Sequence, residues 1–206
     1  MHSFKKAYAQ YALLLMSSLI LTTIGTAMGD LFIGYWSHPL LPFMISLVLL
    51  VAIGFLSGPL KKGLFFLFSF LEGVSLTPII WYYLATDNQV LVAAVAVTTI
   101  LIGVFLALGY WAKNLAPMGR YLLIGLIGLL LLTILQLFLP ISIPFLMYVG
   151  LALFTAYIAY HINLFKRRLE GLGGSMSSDE ITDHVMSQYL NIVNLFLQVL
   201  SLMDRD

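Results

Sequence analysis

With 206 residues, 61% of them hydrophobic and 9% charged, and a mean hydropathy of +1.01, the chain has too few polar side chains to cover a soluble globule. It falls in the integral membrane class, and the expectation is an all-α, polytopic fold in a single membrane domain over residues 1–206 with no soluble domain. The net charge of +1, with cations scattered between apolar runs, leaves no basic domain to hold nucleic acid, and the lack of cysteine excludes a disulfide framework, a thiol nucleophile and a thiolate metal site.

A bilayer core needs about 20 mostly apolar residues per helix. Such runs occupy residues 11–32, 40–55, 64–83, 91–111, 123–139 and 143–162, and residues 185–203 make a seventh. Asp30, Trp36 and Pro39 close the first run, Gly58, Pro59, Lys61 and Lys62 the second, and Thr86, Asp87 and Asn88 the third. Lys113, Asn114, Pro117 and Arg120 separate the fourth from the fifth, and Pro140 and Pro144 mark a very short connection after it. The longest gap holds Lys166, Arg167, Arg168 and Glu170, then Gly171, Gly173, Gly174 and serines. There Ser177, three residues before Glu180, has capping-box spacing and predicts a helix start near Asp179.

Cations set the orientation. Lys5 and Lys6, Lys61 and Lys62, Lys113 and Arg120, and Lys166 to Arg168 fall in alternate gaps, and the other gaps hold neither Lys nor Arg. This alternation predicts a cytoplasmic N-terminus by the positive-inside rule, with Trp36, Trp81 and Trp111 at span ends. Lys5 and Lys6 ahead of a run ending in Gly25, Thr26 and Ala27 imitate a cleavable signal, but in a polytopic chain an uncleaved first helix is expected. A full seventh crossing puts Asp204, Arg205 and Asp206 outside, whereas a re-entrant hairpin returns them inside.

Few polar residues lie within the spans. Glu72 is the only carboxylate well inside an apolar run, where it must be neutralised or paired, and it is a candidate proton or cation site. A hydrogen-bonded glutamate tying helices together is its other role. Ser69, Ser75, Thr77 and a kink at Pro78 would add oxygens near it. His161, one turn before the Lys166 cluster, titrates near physiological pH if unperturbed, or simply snorkels or caps. In the last span Ser187, Asn191, Asn194, Gln198 and Ser201 recur at alternating steps of four and three, forming a stripe on one helical face. Amides are costly against lipid and tolerated against protein or water, so this helix is expected to be central and to line an ion path. Asp179, Glu180 and Asp183 at its start would either concentrate cations or complement the helix dipole.

Three patches carry a resemblance: Phe70-Leu-Glu-Gly-Val-Ser-Leu-Thr-Pro78, Tyr157-Ile-Ala-Tyr160-His161-Ile-Asn-Leu-Phe-Lys166 and Gln188-Tyr-Leu-Asn191-Ile-Val-Asn194-Leu-Phe-Leu. They resemble the Bax inhibitor motif family, small bacterial and eukaryotic membrane proteins, and span number and short loops agree over nearly the whole chain. The resemblance implies six helices around the polar-striped last one, and a multi-pass protein of the inner (plasma) membrane. It also implies a pH-sensitive calcium leak gated by paired aspartates on the sixth and seventh helices. At those two places this chain has His161 and Asn191, so no carboxylate pair can share a proton there. An imidazole with an amide is a poor substitute for the anionic oxygens calcium prefers.

The expected function is thus a pH-modulated calcium or other cation leak. Its candidate path and gate residues are Glu72, His161, Asn191, Asn194, Gln198 and Asp183, with calcium as transported ion and no cofactor. The expected partners are the lipid bilayer and cations. The rival is a regulatory membrane protein without transport, for example a modulator of a membrane protease, with another membrane protein as partner. An enzyme would need a nucleophile with its base or a metal constellation, and neither His-Glu-x-x-His nor Gly-x-Ser-x-Gly occurs. A secondary transporter would show repeated halves, and no internal repeat is evident.

Overall fold

Backbone groups inside a bilayer find no water to bond, so apolar runs of this length close their hydrogen bonds internally as helices. The computed structural model describes residues 2–33, 40–140 and 142–204. In chain order the helices are α1 (His2–Ile33), α2 (Leu40–Ile53), α3 (Gly58–Thr86), α4 (Asn88–Trp111), α5 (Gly119–Leu135), α6 (Ile143–Gly171) and α7 (Ser178–Met203), with a 3-10 turn at Ala116–Met118 before α5. No strand occurs among the described residues. Trp36, Pro39, Arg205 and Asp206 lie outside them.

Six of the helices are long and apolar enough to cross a membrane, and α2 is shorter. Its 14 residues rise about 21 Å, less than the roughly 30 Å hydrocarbon core. Several helices run past the apolar stretches that announce them. α3 takes in Lys61 and Lys62, α6 takes in Lys166 to Arg168, and α7 begins seven residues before Val185. Charged residues are good helix formers, and the apolar run marks only the part of a helix suited to lipid. The predicted capping box forms: the Glu180 amide donates to Ser177 Oγ at 3.2 Å and the Ser177 amide to Glu180 Oε2 at 3.3 Å. α3 continues through Pro78.

Contacts group the chain into two units. The first comprises Met1–Asn88 and Leu172–Tyr189, that is α1, α2, α3 and the start of α7. In it α1 and α3 meet backbone to backbone, because a Cβ at Gly25 would strike the Phe70 carbonyl and one at Gly73 the Thr22 carbonyl. Hydroxyls line this seam. Thr26 Oγ1 donates to the Gly73 carbonyl at 3.0 Å and Thr77 Oγ1 to the Thr26 carbonyl at 3.2 Å. Tyr189 is fully buried, with its hydroxyl 2.6 Å from Thr22 Oγ1 and its ring edge-on to Phe65 and Phe68.

The same unit gathers three helix starts at one end. Gln10 Nε2 donates to Ser178 Oγ at 2.6 Å, and the Gly58 amide donates to both Asp179 carboxylate oxygens at 3.0 and 2.9 Å. α1, α3 and α7 therefore begin at the same end.

The second unit comprises Gln89–Gly171 and Leu190–Asp206, that is α4, α5, α6 and the remainder of α7. α4 and α6 touch where Gly109 faces the Ala159 carbonyl. Asn163 of α6 closes the end of α4: its Nδ2 donates to the Gly109 and Ala112 carbonyls at 2.9 and 2.8 Å, and its Oδ1 accepts from the Leu115 amide at 2.9 Å. Lys166 Nζ reaches the Tyr110 carbonyl and Arg167 Nη1 the Lys113 carbonyl, each at 2.9 Å. Cations on the terminal carbonyls of α4 also complement its dipole.

Candidate functional site: polar side chains of α3, α6 and α7

Of the six long helices α7 is the most enclosed, with half of its most apolar stretch buried against 11% for α4 and α5. That is the condition under which a polar stripe is tolerated within a membrane. The stripe divides by what its members do. Ser187 Oγ donates to the Asp183 carbonyl at 3.0 Å and Asn194 Nδ2 to the Leu190 carbonyl at 2.8 Å, so both are partly satisfied by their own helix. Gln198 packs its amide against Gly150 of α6, where a Cβ would collide with it. Asn191 is buried, and its Nδ2 has no hydrogen-bond partner among the described residues.

Gln188, one turn before Asn191, is fully enclosed, and neither its Oε1 nor its Nε2 is hydrogen-bonded among the described residues. Sequence periodicity does not select it, because it falls beside the stripe rather than on it. An intramembrane glutamine three residues before Asn191 was the available signal. An enclosed amide without partners costs about 1–3 kcal/mol per polar group, so the Gln188 amide asks for water or another polar guest.

Glu72 is half-buried on α3, and its Oε2 accepts a hydrogen bond from buried Ser46 Oγ of α2 at 3.1 Å. Ser75 does not reach the carboxylate and donates to the Glu72 backbone carbonyl at 2.7 Å. Asp183 forms a 2.6 Å ion pair with Lys61, whose side chain is 6% exposed against 50% for Asp183. His161 is half-buried beside Tyr157, rings stacked with centroids 5.6 Å apart, and edge-on to Tyr160 at 5.2 Å. Glu72 and Asp183 belong to the first unit, and His161, Asn191, Asn194 and Gln198 to the second. Among the described residues no three His, Cys, Asp or Glu side chains cluster so as to hold a metal ion.

The family described as inhibitor of apoptosis-promoting Bax1 matches residues 2–206 of this chain. Among relatives, a protein of Helicobacter pylori strain J99 is 30% identical over 200 residues, covering 92% of this chain and 84% of its own length. A protein of Chlamydia muridarum is 26% identical over 204 residues, covering 94% and 85% respectively. Both are described as uncharacterized proteins. Seven helices among the described residues, six of them fit to cross a membrane, and a family match over nearly the whole length make this chain a multi-pass membrane protein of the Bax inhibitor-1-like family.

Proposed function

We propose that the chain is a cation leak protein of the inner membrane, N-terminus cytoplasmic, passing calcium or a similar cation along the polar face of α7 and using no cofactor. The observation that carries this reading is that α7 buries amide groups without partners: Gln188 Oε1 and Nε2 and, further along, Asn191 Nδ2 bond to nothing among the described residues. Water at such groups would supply the start of a hydrated path along the polar face of α7. Glu72 supplies the one carboxylate deep in an apolar run, and Ser46 steadies it without cancelling its charge. His161 and Asn191 occupy the places of the family's paired aspartates, so on this reading the imidazole replaces the carboxylate pair as the pH-responsive group and Glu72 is the remaining selectivity carboxylate.

The regulatory reading is favoured by a different observation. Many intramembrane polar side chains are already spent on contacts within the protein, as in the seam of Thr22, Thr26 and Thr77 and the Asn163 cap. On that reading the partner is another membrane protein and no ion moves.

Calcium entry into indicator-loaded proteoliposomes, compared at about pH 6 and pH 8 to straddle an imidazole pKa, separates the two. The leak reading expects flux above protein-free liposomes, reduced about tenfold or more in Glu72→Gln and much less in His161→Gln. Flux at the protein-free rate at both pH values overturns it in favour of the regulatory role.

A further inference from the structure

The starts of α3 and α7 frame a cleft of about 460 Å3, with Lys62, Gly63 and Phe66 on one wall and Ser178 and Asp179 on the other. Two charges of opposite sign face this one space without pairing. Asp179 spends its carboxylate on the Gly58 amide, and Lys62 has no ion pair or hydrogen bond among the described residues. The neighbouring charges are matched, since Lys61 is held by Asp183. Lys62 is left unpaired among the described residues, and Asp179 keeps lone pairs beyond those that take the Gly58 amide.

The depth of the cleft limits what that group can be. Lys62 stands two residues before the apolar run that begins at Leu64, and Phe66 lies inside that run. The cleft therefore joins the charged end of α3 to its lipid-suited part, where Lys ends rise to the headgroups and their stems stay in hydrocarbon. Gly63 widens it, since a Cβ there would meet nothing within 4 Å. A guest must carry an anion and a hydrogen-bonding cation close together, with an apolar tail behind them.

We propose that this cleft binds a phospholipid whose headgroup holds both a phosphate and a primary ammonium, of the phosphatidylethanolamine type. The phosphate meets the Lys62 ammonium, the lipid ammonium donates to the free lone pairs of Asp179, and an acyl chain lies along Gly63 and Phe66. Charge-assisted hydrogen bonds at both ends select this headgroup. A trimethylammonium headgroup has no N–H to give Asp179, and a glycerol headgroup brings an anion without the cation.

Native mass spectrometry of the full chain, released from detergent after incubation with equimolar phosphatidylethanolamine, phosphatidylcholine and phosphatidylglycerol, tests this. Retention of the ethanolamine lipid about tenfold over the other two is expected, falling to their level in Lys62→Met. Asp179→Asn keeps an oxygen for the Gly58 amide and should lose the preference over phosphatidylcholine. Equal retention of all three lipids overturns the proposal, as does retention of the ethanolamine lipid undiminished in Lys62→Met. A preference for phosphatidylglycerol, lost in Lys62→Met, would leave a plain anion site and overturn the zwitterion assignment. Lys62 makes no bond within the described chain, so Lys62→Met reports on binding even if Asp179→Asn fails to fold.

Discussion

Asn163 satisfies three backbone groups at the end of α4 with one side chain. Nothing local announces this role: an asparagine at the edge of an apolar run looks like a boundary residue, and its partners lie about fifty positions earlier. Asn163→Leu should lower stability by about 2–3 kcal/mol, because at least two of the groups lose their partner within the protein, measured as thermal unfolding in detergent. Gln188 points the other way. Gln188→Leu removes two orphaned polar ends from an enclosed site, so it should raise stability by about 1–2 kcal/mol while reducing calcium flux. Stabilisation with undiminished flux would show that Gln188 is not on the path. Asn191, by contrast, could be found from spacing, since helical period and buried amides coincide there.

Helix contacts were only half visible in the glycines. Gly25 and Gly29 sit in a helix seam, but at Gly103, which with Ala107 has the same small-residue spacing, an added Cβ would meet nothing within 4 Å. Spacing marks where close approach is allowed, and the partner helix decides where it happens. Gly73→Leu should therefore cost about 3 kcal/mol or prevent folding, since the new side chain strikes the Thr22 backbone, whereas Gly103→Leu should change stability by less than about 0.5 kcal/mol. Thermal midpoints of the two purified variants check the contrast. The acidic first turn of α7 likewise had two readings in the sequence. In the fold Asp179 accepts from the Gly58 amide of α3, Glu180 closes the capping box with Ser177, and one turn on Asp183 pairs with Lys61, so two helix starts are tied together.

Both units collect their cations at one end of their helices. In the first, Lys61 and Lys62 lie where α1, α3 and α7 start, and in the second Lys166 and Arg167 lie on the end of α4. The absence of cysteine makes this testable. A membrane-impermeant maleimide should label Asp87→Cys from outside intact cells, and Lys5→Cys, Lys113→Cys and Arg167→Cys only after the membrane is opened; the reverse pattern would invert the orientation. Membrane class, helix number, the capping box and the alternation of charge were all open to reading from the chain alone. Each rests on solvation or on residues within a few positions of one another, and the bilayer imposes both conditions whatever the packing. Which amide is orphaned, which glycine is in contact and which carboxylate is paired became known only from the folded helices, because each depends on a partner far away along the chain.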